Sequence, residues 1–126
     1  MNLKPLLVSL LLASAFVLTC TAQNPIPDEY KTGGFFIGCQ AYTFRMFTVF
    51  EAIEKTADAG GKVIEFFPGQ KLSKDEPNVT WDHNAAEETI QKVKDQLAKY
   101  KIRAVNYGVV SIPKDEAEAR KLFKRA

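Results

Sequence analysis

The sequence is short of the residues that usually announce a chemistry. Its 126 residues include two cysteines, one histidine and one tryptophan. Cys20 falls in a leader described below, so once that leader is removed Cys39 has no partner for an internal disulfide. Inside an apolar run, such a thiol reads as a small buried side chain and not as a nucleophile. His83 alone cannot make a metal site; it reads either as part of a helix N-terminus beside Asn84 or as a catalytic group. An excess of one charge is also missing. The formal net charge is +2, and no cluster of lysines and arginines interleaves with aromatics, which argues against a nucleic-acid surface. Lys92, Lys94, Lys99 and Lys101 are instead answered by Glu87, Glu88 and Asp95, as on a solvated helix face. A glycine-rich phosphate loop is lacking as well. Ala41-Tyr42-Thr43-Phe44-Arg45 stands where a dinucleotide-binding fold would need glycines, which counts against a doubly wound sheet.

The one long hydrophobic run is N-terminal. Lys4 precedes Leu6 to Leu18, which is apolar apart from Ser9 and Ser14. A bilayer span needs roughly 18 or more apolar residues, so this run fits the core of a secretory signal. Residues 1–22 read as a signal peptide cleaved after Cys20-Thr21-Ala22. Cys20 admits a second reading, as the lipidated cysteine of a membrane-anchored lipoprotein, although Thr19 replaces the usual glycine or alanine. Both readings export the protein to the periplasm or the medium. Residues 23–34, with Pro25 and Pro27, read as an exposed linker.

What is present from Phe35 onward is a strand–helix–strand pattern. Phe35 to Ala41 is an uncharged, mostly apolar run, and Lys62 to Phe67 is another, closed by Pro68-Gly69. Between them Val49, Phe50, Ile53 and Ala57 share one helical face, and Glu51, Glu54, Lys55 and Asp58 the other. Thr48 and Glu51 stand at capping-box spacing, and Gly60-Gly61 can end the helix. A helical crossover joins parallel strands, since antiparallel neighbours need only a hairpin. A long connection, Pro68 to His83, follows; connections of this length are often functional. Asn84 and Glu87 repeat the capping spacing before a second helix with the stripe Ala86, Ile90, Val93, Leu97 and Tyr100. Glu88 with Lys92 and Asp95 with Lys99 stand four apart on its wet side. Ile102 to Tyr107 reads as a third strand. A third helix is expected from near Pro113, burying Ala119, Leu122, Phe123 and Ala126. The sequence then stops on a core-facing residue with an unpaired strand edge, so it reads as the truncated N-terminal part of a larger α/β domain.

Several segments carry a family resemblance: Gly38-Cys39-Gln40-Ala41-Tyr42-Thr43-Phe44-Arg45, Ala52 to Gly61, Val63-Ile64-Glu65-Phe66-Phe67-Pro68 and Tyr107-Gly108-Val109-Val110. In this order and spacing, residues 35–126 resemble the sugar phosphate isomerase/epimerase group of xylose isomerase-like TIM barrels. The resemblance implies a partial (β/α)8 barrel, its first three βα units with parallel strands. It implies a divalent metal in the full-length protein and proton transfer between adjacent carbons of a sugar or sugar phosphate. The metal-binding positions of the group lie on later strands, so no metal ligand is assigned here, and the chain alone is expected to be inactive. A non-catalytic secreted sugar-binding barrel and an apurinic endonuclease-like phosphodiesterase are the alternatives. Export and near-neutral charge count against the latter.

Active sites of such barrels sit at the C-terminal ends of the strands. If Ile64 and Phe66 face the helices, alternation turns Val63, Glu65 and Phe67 to the barrel interior. The same logic points Phe36, Gly38, Gln40 and Tyr42 inward, with Ile102, Ala104 and Asn106. Gln40, Glu65 and Asn106 then offer one polar side chain per strand, suited to a polyhydroxylated ligand. Glu65 either bonds substrate or is an internal acid satisfied by a neighbouring group. Tyr42 and Arg45 are candidates to hold a hydroxylated or anionic substrate. Trp81 reads as a ring for stacking on a sugar or as packing beneath the second loop.

Overall fold

The computed structural model describes residues 26–125. The leader, Cys20 and Ala126 lie outside them. The stretch before the first parallel strand is structured from Asp28: a 3-10 turn, Asp28–Tyr30, leads into β1 (Lys31–Thr32), which pairs antiparallel with β2 (Phe35–Phe36). The apolar run expected as one strand is therefore split. Phe35 and Phe36 belong to this hairpin and are exposed, with the Lys31 ammonium 5.3 Å from the Phe36 ring centre. Phe36 is thus not an inward-facing barrel residue.

The main chain of elements is β3 (Gly38–Gln40), a 3-10 turn (Ala41–Phe44), α1 (Val49–Asp58), β4 (Val63–Phe66), β5 (Gln70–Lys71), β6 (Thr80–Trp81), α2 (Glu87–Tyr100), β7 (Arg103–Tyr107) and α3 (Glu116–Arg125). β3, β4 and β7 form a three-stranded parallel sheet with β4 in the centre. Among the described residues the chain is mixed α/β, with this sheet and three helices. It is not a bare βα repeat, because β5 and β6 add an antiparallel pair inside the second connection. No described helix is long and apolar enough to cross a membrane.

The sheet is held to its helices on one face. Ile64 and Phe66 of β4 are buried there with Val49, Ala52 and Ile53 of α1, Val93 of α2, and Ile102. Each fully buried aliphatic of this kind contributes roughly 1.5–3 kcal/mol. Leu72, fully buried, joins them from the long connection. Its N–H donates to the Val79 carbonyl at 2.8 Å, and its carbonyl accepts the Phe50 N–H at 3.2 Å. Gly38 lies so close to β4 that a Cβ there would drive into the Val63 carbonyl oxygen.

α1 starts as its sequence predicts. Thr48 Oγ1 accepts the Glu51 N–H at 3.3 Å, and Glu51 Oε2 accepts the Thr48 N–H at 3.0 Å. Gly60, at φ +81°, turns the chain out of the helix in a conformation costly for other residues. α2 starts later than the Asn84–Glu87 spacing suggests. Ala86 is its N-cap, without a side-chain bond, and Asn84 lies in a turn ahead of the helix where its N–H donates to Asp82 Oδ1 at 2.7 Å. Its buried stripe is Thr89 and Val93, flanked by half-buried Ile90, Leu97 and Tyr100, whereas Ala86 is exposed. Lys92 meets Glu88 at 3.0 Å and also Glu76 of the long connection at 2.8 Å. Asp95 accepts from Gln91 instead of pairing Lys99, whose ammonium lies over the Tyr100 ring. α3 begins after Asp115, whose Oδ1 accepts the Glu118 N–H. Leu122 is its buried anchor, and Phe123, expected inside, is 66 % exposed because it lies past that buried line.

The capping box also sets a pH dependence. Hydrogen bonding to the Lys74 ammonium, then to the Thr48 N–H, lowers the Glu51 carboxyl from its ordinary 4.5 to about 2. A carboxylate depressed in the folded state stabilises above its unfolded value and loses that contribution as pH falls. Glu51→Gln is therefore expected to cost about 1 kcal/mol at pH 7. In urea unfolding followed by circular dichroism, the difference from the parent should shrink as pH drops from 4.5 towards 2.

Candidate functional site

The candidate site is built by register at the C-terminal ends of the parallel strands. Gln40 of β3 pairs with Glu65 of β4, and Glu65 pairs with Asn106 of β7. In a parallel sheet such partners share a face, so the three stand in a row on the side away from Ile64 and Phe66. The row depends on an irregularity. Ile64 is level with Ala104 and Glu65 with Asn106, so Val105 is an extra residue in β7. Strict alternation would put Ile102, Ala104 and Asn106 together in the barrel interior. Ile102 is in fact 3 % exposed within the helix-side core, and Ala104 is aligned with Ile64. Those two are corrected to the helix side; the bulge returns Asn106 to the row.

Within it, Gln40 Nε2 donates to Glu65 Oε1 at 2.9 Å, so the internal acid has its neighbouring-strand partner. Asn106 Oδ1 is turned to its own chain and accepts the Tyr107 N–H at 2.9 Å. Beside the row lies a hollow of about 310 Å³ lined by Gln40, Tyr42, Phe67, Pro68, Gly108 and Val109. The Tyr42 and Phe67 rings meet edge to face at 5.2 Å, and the Arg45 guanidinium lies 5.1 Å from the Tyr42 ring centre. Arg45 itself opens onto a neighbouring hollow of about 510 Å³, shared with Lys71 and Lys74, and Phe67 is the wall between the two. Gln40, Tyr42 and Glu65 are thus brought together, and Arg45 reaches them through Tyr42; Asn106 is level with Glu65 by register but lines a different hollow, with Phe66, Val93 and Ala104.

The first loop owes its position to a residue not anticipated from sequence. Gln70 is 3 % exposed, and its Nε2 donates to the carbonyls of Phe44 at 3.2 Å and Phe47 at 3.0 Å. The only hint was its place just after Phe67-Pro68-Gly69, where the second strand ends. Phe67, Gly108 and Val109 also matter more than their sequence context suggests, as walls of the hollow. Trp81 packs on Phe66, ring centres 5.5 Å apart at 60°, which is the packing role beneath the second loop. The His83 backbone N–H donates to the Tyr107 hydroxyl at 3.1 Å. Burial raises the Tyr107 pKa, and the negative Asp82 adds to that, against the opposing His83 bond. Cys39, a free thiol, is half-buried with Sγ 3.1 Å from Thr56 Oγ1.

Chemically, the row and hollow combine a carboxylate, amides, a phenol and aromatic edges. These suit hydroxyl groups and the C–H faces of a ring. One carboxylate does not make an acid/base pair. Among the described residues no three His, Cys, Asp or Glu side chains gather at one point. The divalent metal implied by the family resemblance therefore does not find a cage in the described residues.

No family model and no curated protein matches the sequence. Among solved structures, the chain is similar to the crystal structure of an uncharacterized protein from Parabacteroides distasonis ATCC 8503, at 21 % identity and a TM-score of 0.63. The likeness covers 72 % of this chain and 39 % of that one. It is a likeness of fold. The chain spans about two fifths of the length of that protein.

The aromatic wall gives a direct check. Tyr42→Ala removes both ring contacts and is expected to cost about 1 kcal/mol in urea unfolding. Arg45→Ala, which removes an exposed cation–π contact alone, should cost roughly 0.5 kcal/mol.

Proposed function

We propose that the chain is the opening part of a xylose isomerase-like barrel whose strand ends bind a sugar or sugar phosphate. The observation that carries this reading is the row Gln40–Glu65–Asn106 at the C-terminal ends of three parallel strands, beside a hollow walled by Tyr42 and Phe67. In this reading the Gln40–Glu65 pair meets the hydroxyls. Tyr42 and Phe67 cover the apolar side of the ring, and Arg45 receives an anionic arm where one is present. The complete protein would move a proton between adjacent carbons of the sugar. Its divalent cation would need donors additional to Glu65, so the chain in hand binds without turnover. Export through the leader, by signal peptidase or lipoprotein processing, belongs to the same proposal.

The test is a titration of the full ¹⁵N-labelled chain with xylose, glucose and glucose 6-phosphate. Saturable shifts are expected at the Gln40 side-chain amide, with Glu65→Ala weakening them at least tenfold. Absence of saturable shifts with all three ligands would overturn the sugar reading. Deuterium incorporation into the sugar from D₂O would overturn the expectation of an inactive chain.

A further inference from the structure

The hollow of about 510 Å³ beyond Phe67 carries an excess of positive charge. Three cations line it, Arg45, Lys71 and Lys74, against one carboxylate, Glu51. That carboxylate is already engaged within the fold. Glu51 Oε2 accepts the Thr48 N–H at 3.0 Å, and Oε1 meets the Lys74 ammonium at 2.8 Å. Glu51 and Lys74 offset each other, which leaves the charges of Arg45 and Lys71 unanswered in the lining. Both of these residues are exposed, so their donors can reach a ligand. Among the described residues neither makes an ion pair or a side-chain hydrogen bond. Arg45 meets only the Tyr42 ring, a contact that supplies no acceptor oxygen. The backbone beneath the two cations is set in advance. Gln70, next to Lys71 in β5, donates through Nε2 to the carbonyls of Phe44 and Phe47, on either side of Arg45. Little ordering of the two segments is then needed on binding.

The lining is too apolar for a bare inorganic anion. Phe47 and Phe67 belong to it, with Met46, which is 85 % exposed. Aromatic walls suit the C–H face of a ring, while exposed cations suit oxyanions. The first hollow, of about 310 Å³, shares Phe67 as a wall and has no charged residue in its lining. A neutral chamber and a cationic one therefore adjoin across a single ring. We propose that the ligand spans both: a neutral sugar unit in the first, and beyond Phe67 a second unit bearing an oxyanion, either a uronate carboxylate or a phosphate ester. Arg45 and Lys71 bind the oxyanion, and the second unit packs on Phe47. This inference rests on the sugar reading and narrows it to acidic ligands of disaccharide size.

The test uses matched pairs with the full ¹⁵N-labelled chain, at ionic strength held constant with sodium chloride. Cellobiose is compared with cellobiouronic acid, and trehalose with trehalose 6-phosphate. In at least one pair the acidic member should bind about tenfold more tightly than its neutral partner, and the responding pair tells carboxylate from phosphate. Arg45→Gln combined with Lys71→Gln should abolish that preference and leave the affinity for the neutral member unchanged. The parent protein's preference is a test in itself, independent of how the double variant folds. Equal binding of acidic and neutral members, with the Gln40 side-chain amide responding to both, would sink this inference and leave the sugar reading standing. A preference that survives in the double variant would refute it as well. Silence of the Gln40 amide with all of these ligands would remove the sugar reading and this extension together.

Discussion

The structure depends on β4 being paired on both sides. Its two faces are assigned to different tasks: Ile64 and Phe66 enter the helix-side core, while Glu65 stands on the other face between Gln40 and Asn106. Because side chains alternate with a period of two, these tasks are inseparable. Burying Ile64 and Phe66 against α1 and α2 obliges Glu65 to face away, and parallel pairing brings the neighbouring polar groups level with it. The carboxylate is then held by the Gln40 amide, so its exposure on the sheet face carries little penalty.

The long second connection serves the site by filling space. Leu72 occupies the core and exchanges backbone bonds with both Val79 and α1. Two residues earlier, Gln70 ties the first loop down through two carbonyls. The walls of the candidate site thus come from two loops fastened to each other, and Phe67 meets Tyr42 across them. A connection of that length need not be mobile when its middle is anchored by a buried leucine.

What could be read from sequence was what short-range rules govern. The Thr48–Glu51 box, most of the α1 and α2 stripes and the parallel crossovers follow from spacing alone, whereas the facing of Ile64 and Phe66 is one of two that alternation allows. Readings failed where one residue changed the count. Val105 adds a bulge that no pattern marks, so strict alternation puts Ile102 and Ala104 on the wrong face and leaves Asn106 level with Glu65. Asn84 has the spacing of a cap, yet it sits in a turn closed by Asp82 and the helix starts after Ala86. Phe35 and Phe36 look like strand interior, but the Gly33-Gly34 turn folds them back on Lys31 and Thr32. The fastening by Gln70 was invisible because its partners are backbone carbonyls more than twenty residues away in the chain.

That fastening distinguishes two side chains of the same shape. The Gln70 amide nitrogen donates to two carbonyl oxygens, and the side chain is 3 % exposed. A glutamate of identical size would set a negative oxygen against two others, in a setting where ionisation is already penalised. Exchanging this one amide for a carboxylate would therefore loosen the first loop from the second.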